Sequence, residues 1–547
     1  MIKLSEKRIS VFDTTLRDGV QGRDMSFSLS DKVKIAKKLD HLGVDYIEAG
    51  WVPGNPKDSK FFERMAEENL GRSKIVACGS TRRPNTDPRE DNSIKGLIDS
   101  GAGAVSVVGK TWLFHVEKVL NTSPEENLEM IHDSIKTLKK SGLEVVYDAE
   151  HFFDAYFDDP EYSLKSLKVA EKANVDCITL CDTNGGTVPK TISSIVEDVR
   201  KKIDVTLGIH AHNDSGLAVA NSLAAVEGGV EVVQGTINGY GERVGNANLC
   251  TIIPDLELKM GYRCLSGEEK LKEIKSIANY VSEIANMPPD KKAPYVGRDA
   301  FTHKAGLHVD AVLKNPETFE HVNPAKVGNR RNYVVSELSG NSAVEEKMKQ
   351  MGIELSDNRD KAREILSDLK ALEKEGYQFE NADASFELLV KNIQGKLPTY
   401  FKVMNYHITT EKGRSVGVHS RAEVEILVDG DRRSATEYGN GPVNALDNAF
   451  KAALHVFFPM IEDMQLIDYN VRILERHRGS AAKPRVNIEM SDGKNSWNTI
   501  GVSSNITEAS WEALQDAYIY GLESKKDEND SRQIKSDKKI KSGDELW

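Results

Sequence analysis

His210 and His212 stand two apart after a short apolar run, Thr206–Ile209. Residues i and i+2 of a strand point to one face, so two imidazoles are expected side by side. Two imidazoles joined by a carboxylate make a site for a divalent cation with positions left open for substrate oxygens. The plain alternative is a hydrogen-bonded histidine pair with no metal. Other stretches carry the same density of ionisable and amide groups: Asp13-Thr14-Thr15-Leu16-Arg17-Asp18-Gly19-Val20-Gln21, Asp148-Ala149-Glu150-His151, Asp182-Thr183-Asn184-Gly185 and Asn238-Gly239-Tyr240-Gly241-Glu242-Arg243-Val244-Gly245-Asn246. The glycines of the last stretch imply tight turns. Their spacing is not that of a dinucleotide fingerprint.

Every one of these stretches follows an apolar run. The runs are Ile9–Phe12, Tyr46–Ala49, Ile75–Cys78, Ala104–Val108, Val145–Tyr147, Cys177–Leu180, Thr206–Ile209 and Val232–Gly235. They recur every 25 to 40 residues or so, roughly the length of a strand–helix unit. Continuous apolar strands alternating with helices imply a parallel sheet covered on both faces. Eight such units predict a TIM (β/α)8 barrel, with an open doubly wound sheet as the other arrangement. In a barrel the active site lies at the C-terminal ends of the strands, which is where the five loaded stretches fall. Strands one and seven are then separated only by strand eight, so Asp18 is the carboxylate expected to join His210 and His212. On a regular strand Arg17 points away from Asp18, and a loop geometry is needed to bring both into one site. Its structural alternative is a salt bridge to Glu242 or Glu150. Lys110, Asp148 and Tyr240 are candidate liners of the substrate pocket.

Helix ends carry local signals. Ser30-Asp31 reads as the N-terminal cap of an amphipathic helix that Gly43 ends, and Ser123-Pro124 opens another. The chain divides into a barrel at 1–265, a charged and mostly helical linker or lid at 266–394, a C-terminal domain at 395–524 and a disordered polar tail at 525–547. Asp357–Glu375 reads as an exposed, ion-paired helix. In the C-terminal domain, Ala422–Leu454 and Arg485–Tyr518 each read as strand, Asp-Gly turn, strand and helix. This predicts an α+β domain built from a duplicated strand–strand–helix unit.

The net charge of −12 over 547 residues disfavours non-specific nucleic-acid binding. No run is long enough to cross a bilayer and the N-terminus lacks a signal-peptide pattern, so a cytoplasmic protein with no membrane partner is expected. Five scattered cysteines, at 78, 177, 181, 250 and 264, are no disulfide framework and read as core thiols.

Asp13–Gln21, His210–Asp214 and Gly241–Asn246, in that order, resemble the 2-isopropylmalate, homocitrate and citramalate synthases, metal-dependent TIM-barrel condensing enzymes. The resemblance covers nearly the whole chain. Asn-Gly-Tyr-Gly-Glu-Arg-Val-Gly-Asn-Ala-Asn-Leu at 238–249 and Thr302–His308 are similar to the citramalate branch. It implies a Claisen-type condensation of acetyl-CoA with pyruvate, then thioester hydrolysis to (R)-citramalate and CoA, in isoleucine biosynthesis. It implies Asp18, His210 and His212 as ligands of a divalent cation (Mg2+, Mn2+ or Zn2+), with Asn246 a direct or water-mediated fourth. Gln21 and Thr183 would bind substrate, Thr183 at the 2-oxo acid carboxylate. Arg17 would stabilise negative oxygen, and Glu150 and His308 would move protons. The C-terminal domain would be regulatory, with isoleucine as effector, in a homodimer. Phe319 stands where the family commonly has a tyrosine, which puts a hydroxyl's role there in question and leaves Tyr333 or a water to substitute. The alternatives are the 2-isopropylmalate and homocitrate reactions, a lyase of the same superfamily, and an inactive amino-acid-sensing scaffold.

Overall fold

A computed structural model describes residues 7–52, 54, 56–334, 346–349, 359–413, 417–474, 482–493 and 495–541. By internal contacts the chain forms two compact units. The first is 1–301 with 320–331, and the second is 302–319 with 332–547.

The first unit is a closed eight-stranded parallel barrel. Its strands are β1 Ser10–Asp13, β2 Tyr46–Trp51, β3 Lys74–Ser80, β4 Ala104–Lys110, β5 Glu144–Glu150, β6 Cys177–Asp182, β7 Thr206–Ala211 and β8 Val232–Gly235. Each contains or overlaps one of the eight apolar runs. β1 pairs with β8 from Ser10↔Val232 to Asp13↔Gly235, which closes the sheet. Inside and outside of the strands are both buried, and the core is built from residues such as Val11, Ile47, Val105, Leu180 and Ile209. The same core takes in Leu271, Ile274, Ile277 and Val281, so helices beyond residue 265 pack with the barrel rather than apart from it.

The first barrel helix starts two residues earlier than expected. Ser28 caps it: its hydroxyl accepts the Asp31 amide at 3.2 Å and the Asp31 carboxylate accepts the Ser28 amide at 3.0 Å. That reciprocal pair satisfies two end amides at once. Gly43 ends the helix in the left-handed region at φ 98°. Ser123 caps the helix Pro124–Lys140. All five cysteines are buried free thiols.

In the second unit each repeat has one strand more than the sequence suggests. Lys402–Gly413, Gly417–Val428 and Asp431–Gly439 form one antiparallel sheet, followed by the helix Pro442–His455. Gln465–Ile473, Pro484–Ser491 and Ser496–Val502 form the other, followed by a helix from Ile506. The leading strands lay their apolar side chains, Tyr406 and Ile408 in one and Tyr469 and Val471 in the other, on the core of the unit. The helix Arg359–Glu375 lies within the predicted exposed one, but Ile365 and Leu369 are buried, so it is amphipathic. Residues 357 and 358 lie outside the described ones. The tail expected to be disordered continues the last helix to Lys541. Propagating a formed helix is cheap compared with nucleating one, and no Gly or Pro interrupts 525–541. Among the described residues, no helix is long and apolar enough to cross a membrane.

Candidate metal centre and substrate cavity

The chain leaves β1 at Asp13 and turns at once. The amides of Arg17, Asp18 and Gly19 all point at the Thr14 carbonyl, at 3.1, 2.9 and 3.1 Å. This turn replaces strand geometry, which is how Arg17 and Asp18 come to share a site. The buried Asp13 carboxylate accepts the Thr15 amide and hydroxyl, both at 2.9 Å. Burial pushes its pKa up to about 7, against the pull of those hydrogen bonds.

His210 ends β7 one residue before Ala211, and His212 follows the strand. The His210 Nε2 lies 3.4 Å from one Asp18 oxygen, and the His212 Nε2 lies 4.0 Å from the other. One donor atom from each of the three residues lies within 4.8 Å of the others, and all three residues are buried. Burial alone would raise the Asp18 carboxyl, but Arg17, His212 and His210 together hold it far below the usual range. Burial pushes His210 down to about 4, with Asp18 opposing. The trio is therefore an ionised carboxylate beside a neutral imidazole, the protonation metal ligation needs.

Asn246 completes the corner. It forms a bridge with His212, and its Nδ2 donates to the Tyr240 carbonyl at 3.0 Å. Its Oδ1 is buried with no partner, and so is the His212 Nδ1. Buried polar atoms are ordinarily paired, so the unpartnered amide oxygen of Asn246, a residue bridged to His212, fits a cation held at the trio. Gly241 makes the approach possible, since a Cβ there would fall 2.2 Å from the Asn246 Nδ2.

Asp18, His210 and His212 line a cavity of about 390 Å³, together with Arg17, Gln21, Lys110, Asp148, Glu150 and Thr183, whereas Asn246 is not among its lining residues. Arg17 gives its Nε to Glu48 at 2.6 Å and an Nη to Asp18 at 3.1 Å. The predicted partners Glu242 and Glu150 are not its partners. Glu48 is on β2, next to β1, and reaches Arg17 inside the barrel. Glu150 is instead hydrogen-bonded to Lys110, and the Glu242 side chain is more than half exposed near Arg243. The Thr183 hydroxyl accepts the His151 amide at 2.9 Å. Gln21 sits exposed at the rim. Burial and Glu48 push the Asp148 carboxyl up to about 7. Tyr240 does not line the cavity: it packs on the barrel core, and its hydroxyl accepts from Asn238 at 3.3 Å. Arg243 holds the loop from outside, with two bonds to Asp214 at 2.7 and 2.8 Å and one to the Thr183 carbonyl at 2.9 Å.

His308 belongs to the second unit, on the helix Gly306–Lys314, where its ring stacks on Phe319 with centroids 4.1 Å apart. Tyr333 is buried there against Val309 and Val312. Sequence reasoning missed Glu48 and Gln234. Both are polar residues inside apolar strands, and that interruption was the available signal, because a charged or amide group in a sheet buried on both faces needs a partner there.

Residues 8–281 match the HMGL-like family model, 295–377 the homocitrate synthase post-HMGL domain-like model, and 380–522 the LeuA allosteric (dimerisation) domain. The (R)-citramalate synthase of Aquifex aeolicus is 48% identical over 94% of this chain and 98% of its own. That of Geobacter sulfurreducens is 48% identical over 94% and 97%. The chain belongs to the HMGL-like family of citramalate and 2-isopropylmalate synthases. Within that family, the 2-isopropylmalate synthase of Methanocaldococcus jannaschii is 33% identical over 93% of this chain and 94% of its own. The order barrel, post-barrel segment and LeuA-type domain follows the order of the two compact units along most of the chain.

Proposed function

We propose that this chain is an (R)-citramalate synthase, a metal-dependent acyltransferase that joins acetyl-CoA to pyruvate. The observation that carries the reading is its similarity to (R)-citramalate synthases over nearly their full length, at 43 to 48% identity in five of them.

Asp18, His210 and His212 would hold a divalent cation, with Asn246 as a further ligand. When bound, the cation supplies Lewis acidity to the 2-oxo acid. Thr183 accepts an amide and keeps its hydroxyl hydrogen for the substrate carboxylate, and Gln21 closes the rim. Arg17 is held by Glu48 and Asp18 before substrate arrives. A guanidinium fixed in advance stabilises the negative charge that develops on the former keto oxygen. The acetyl methyl gives a proton to His308, its methylene carbon bonds to the keto carbon, and the oxygen takes a proton. Glu150, paired with Lys110, serves proton transfer. Water then cleaves the thioester, leaving the new carboxylate and free CoA.

The match to the LeuA allosteric (dimerisation) domain supports a homodimer with a regulatory C-terminal region, and isoleucine is the effector we assign to it. The soluble composition and the metabolic substrates support a cytoplasmic location.

CoA release from acetyl-CoA, with pyruvate, 2-oxoisovalerate, glyoxylate and 2-oxoglutarate offered separately in added divalent metal, tests the reading. Strong preference for pyruvate is expected. Preference for another acid reassigns the substrate, and no release with any of the four overturns the condensation.

A further inference from the structure

Gln234 is almost wholly buried on β8, and its Cα is the cross-strand partner of His210 on β7. Its Oε1 lies 2.9 Å from the His210 Nδ1. Its Nε2 lies 3.0 Å from an Asp148 oxygen on β5 and 3.0 Å from the Thr179 hydroxyl on β6. Asp148 and Thr179 are themselves register partners and hydrogen-bonded. Inward-pointing residues of four consecutive strands thus form one connected polar layer under the metal corner.

The Gln234 Nε2 donates to the Asp148 oxygen and to the Thr179 oxygen, so the NH2 faces β5 and β6. The amide oxygen therefore faces His210. An oxygen there is satisfied only by an N–H, so His210 carries its proton on Nδ1 and presents the lone pair of Nε2, the atom that faces Asp18.

We propose that Gln234 is a positioning residue that fixes the tautomer of His210 and so makes its Nε2 a metal ligand. This rests on the reading of Asp18, His210 and His212 as a divalent-cation site. Without the amide, His210 is free to hold its proton on either nitrogen and to rotate, and the unproductive form has to be displaced before a cation binds. Removing a partner of this kind weakens metal affinity by about 10- to 100-fold.

The test titrates the full-length metal-free protein with Mn2+, following the free ion by electron paramagnetic resonance, beside its thermal unfolding. Gln234→Met keeps the length and removes the amide, and about 10- to 100-fold weaker Mn2+ binding is expected. Thr179→Val removes only the hydroxyl that orients the amide, and a smaller loss, about three- to tenfold, is expected; it carries the test alone where Gln234→Met does not fold. Wild-type affinity in the folded variants overturns the proposal, including where the unfolding temperature has dropped, since that is a merely structural role. Unchanged affinity with a fall in kcat at saturating Mn2+ also overturns it, because Gln234 would then act on substrate. No Mn2+ binding by the unaltered protein overturns the metal site and this proposal together.

Discussion

The barrel has a cavity of about 390 Å³ at each end, and the two differ in what their polar groups are doing. The lower one is lined by Arg8, Tyr46, Glu144, Asp176, Cys177 and Glu231 among others. Arg8, Tyr46, Glu144 and Asp176 are each held by an ion pair or hydrogen bond. Arg8 holds Asp45 at 2.9 Å, the Tyr46 hydroxyl donates to Glu144 at 2.6 Å, Lys74 also reaches Glu144, and Lys139 holds Asp176 at 2.6 Å. At the upper end the Asn246 oxygen and the His212 Nδ1 are buried with no partner, next to a carboxylate and an imidazole nitrogen that face one point. Volume does not tell a site from a structural gap here. Donor atoms left idle at a cost in burial do, because that cost is recovered only when something binds.

The largest effect that sharpens this contrast is at His210. His210→Ala is expected to lower kcat/KM about a thousandfold or more, since Lewis acidity is worth several kcal/mol. Its measurement is CoA release with pyruvate, and activity within tenfold of the unaltered protein would erase the distinction between the two ends. Arg17→Lys keeps the charge but loses the fork that spans Glu48 and Asp18. A fall in kcat of about 10² to 10³ is expected, as for removal of one donor to a developing oxyanion. A change confined to KM would mean that Arg17 binds substrate without favouring the transition state. Asn246→Ala removes the idle oxygen, and Mn2+ binding about ten- to a hundredfold weaker is expected by the same titration. Tighter binding would place that oxygen outside the metal's reach. The smallest effect belongs to the lower cavity. Tyr46→Phe deletes one half-buried hydrogen bond, costs about 1 kcal/mol in denaturant unfolding and leaves kcat within about twofold, a change too small to report lost transition-state stabilisation. A large loss of activity there would show that the lower cavity is more than structural.

The sequence made some of this legible and hid the rest for physical reasons. All eight strands were marked because a sheet buried on both faces needs unbroken apolar runs. His210, His212 and Asp18 stood out because their types are rare at strand ends and their spacing fixes a face. Arg17 was foreseen in the site, but its partner was not. Glu48 lies inside an apolar strand run, and only the closed barrel shows that it points inward at Arg17. Gln234 was hidden in the same way, between Val233 and Gly235. Glu150 and Thr183 were singled out by their position after the fifth and sixth apolar runs, and both line the cavity. Lys110 meets Glu150 as its register partner across β4 and β5, which only the closed barrel reveals, and the His151 amide reaches Thr183 from the turn after β5. The leading strands at Lys402 and Gln465 were missed because the Asp-Gly turns mark only the second and third strands of each repeat, although Tyr406 and Ile408, and Tyr469 and Val471, alternate toward the core.

The closing of the barrel between β1 and β8 sets an order of events during synthesis. Asp18 leaves the ribosome well before His210, His212 and Asn246, which come near the end of the barrel's chain. A nascent chain that stops before β8 has no seam for β1 to close, so the carboxylate and the imidazoles have nothing to bring them together. The three groups of the candidate metal centre can therefore come together only in a finished barrel.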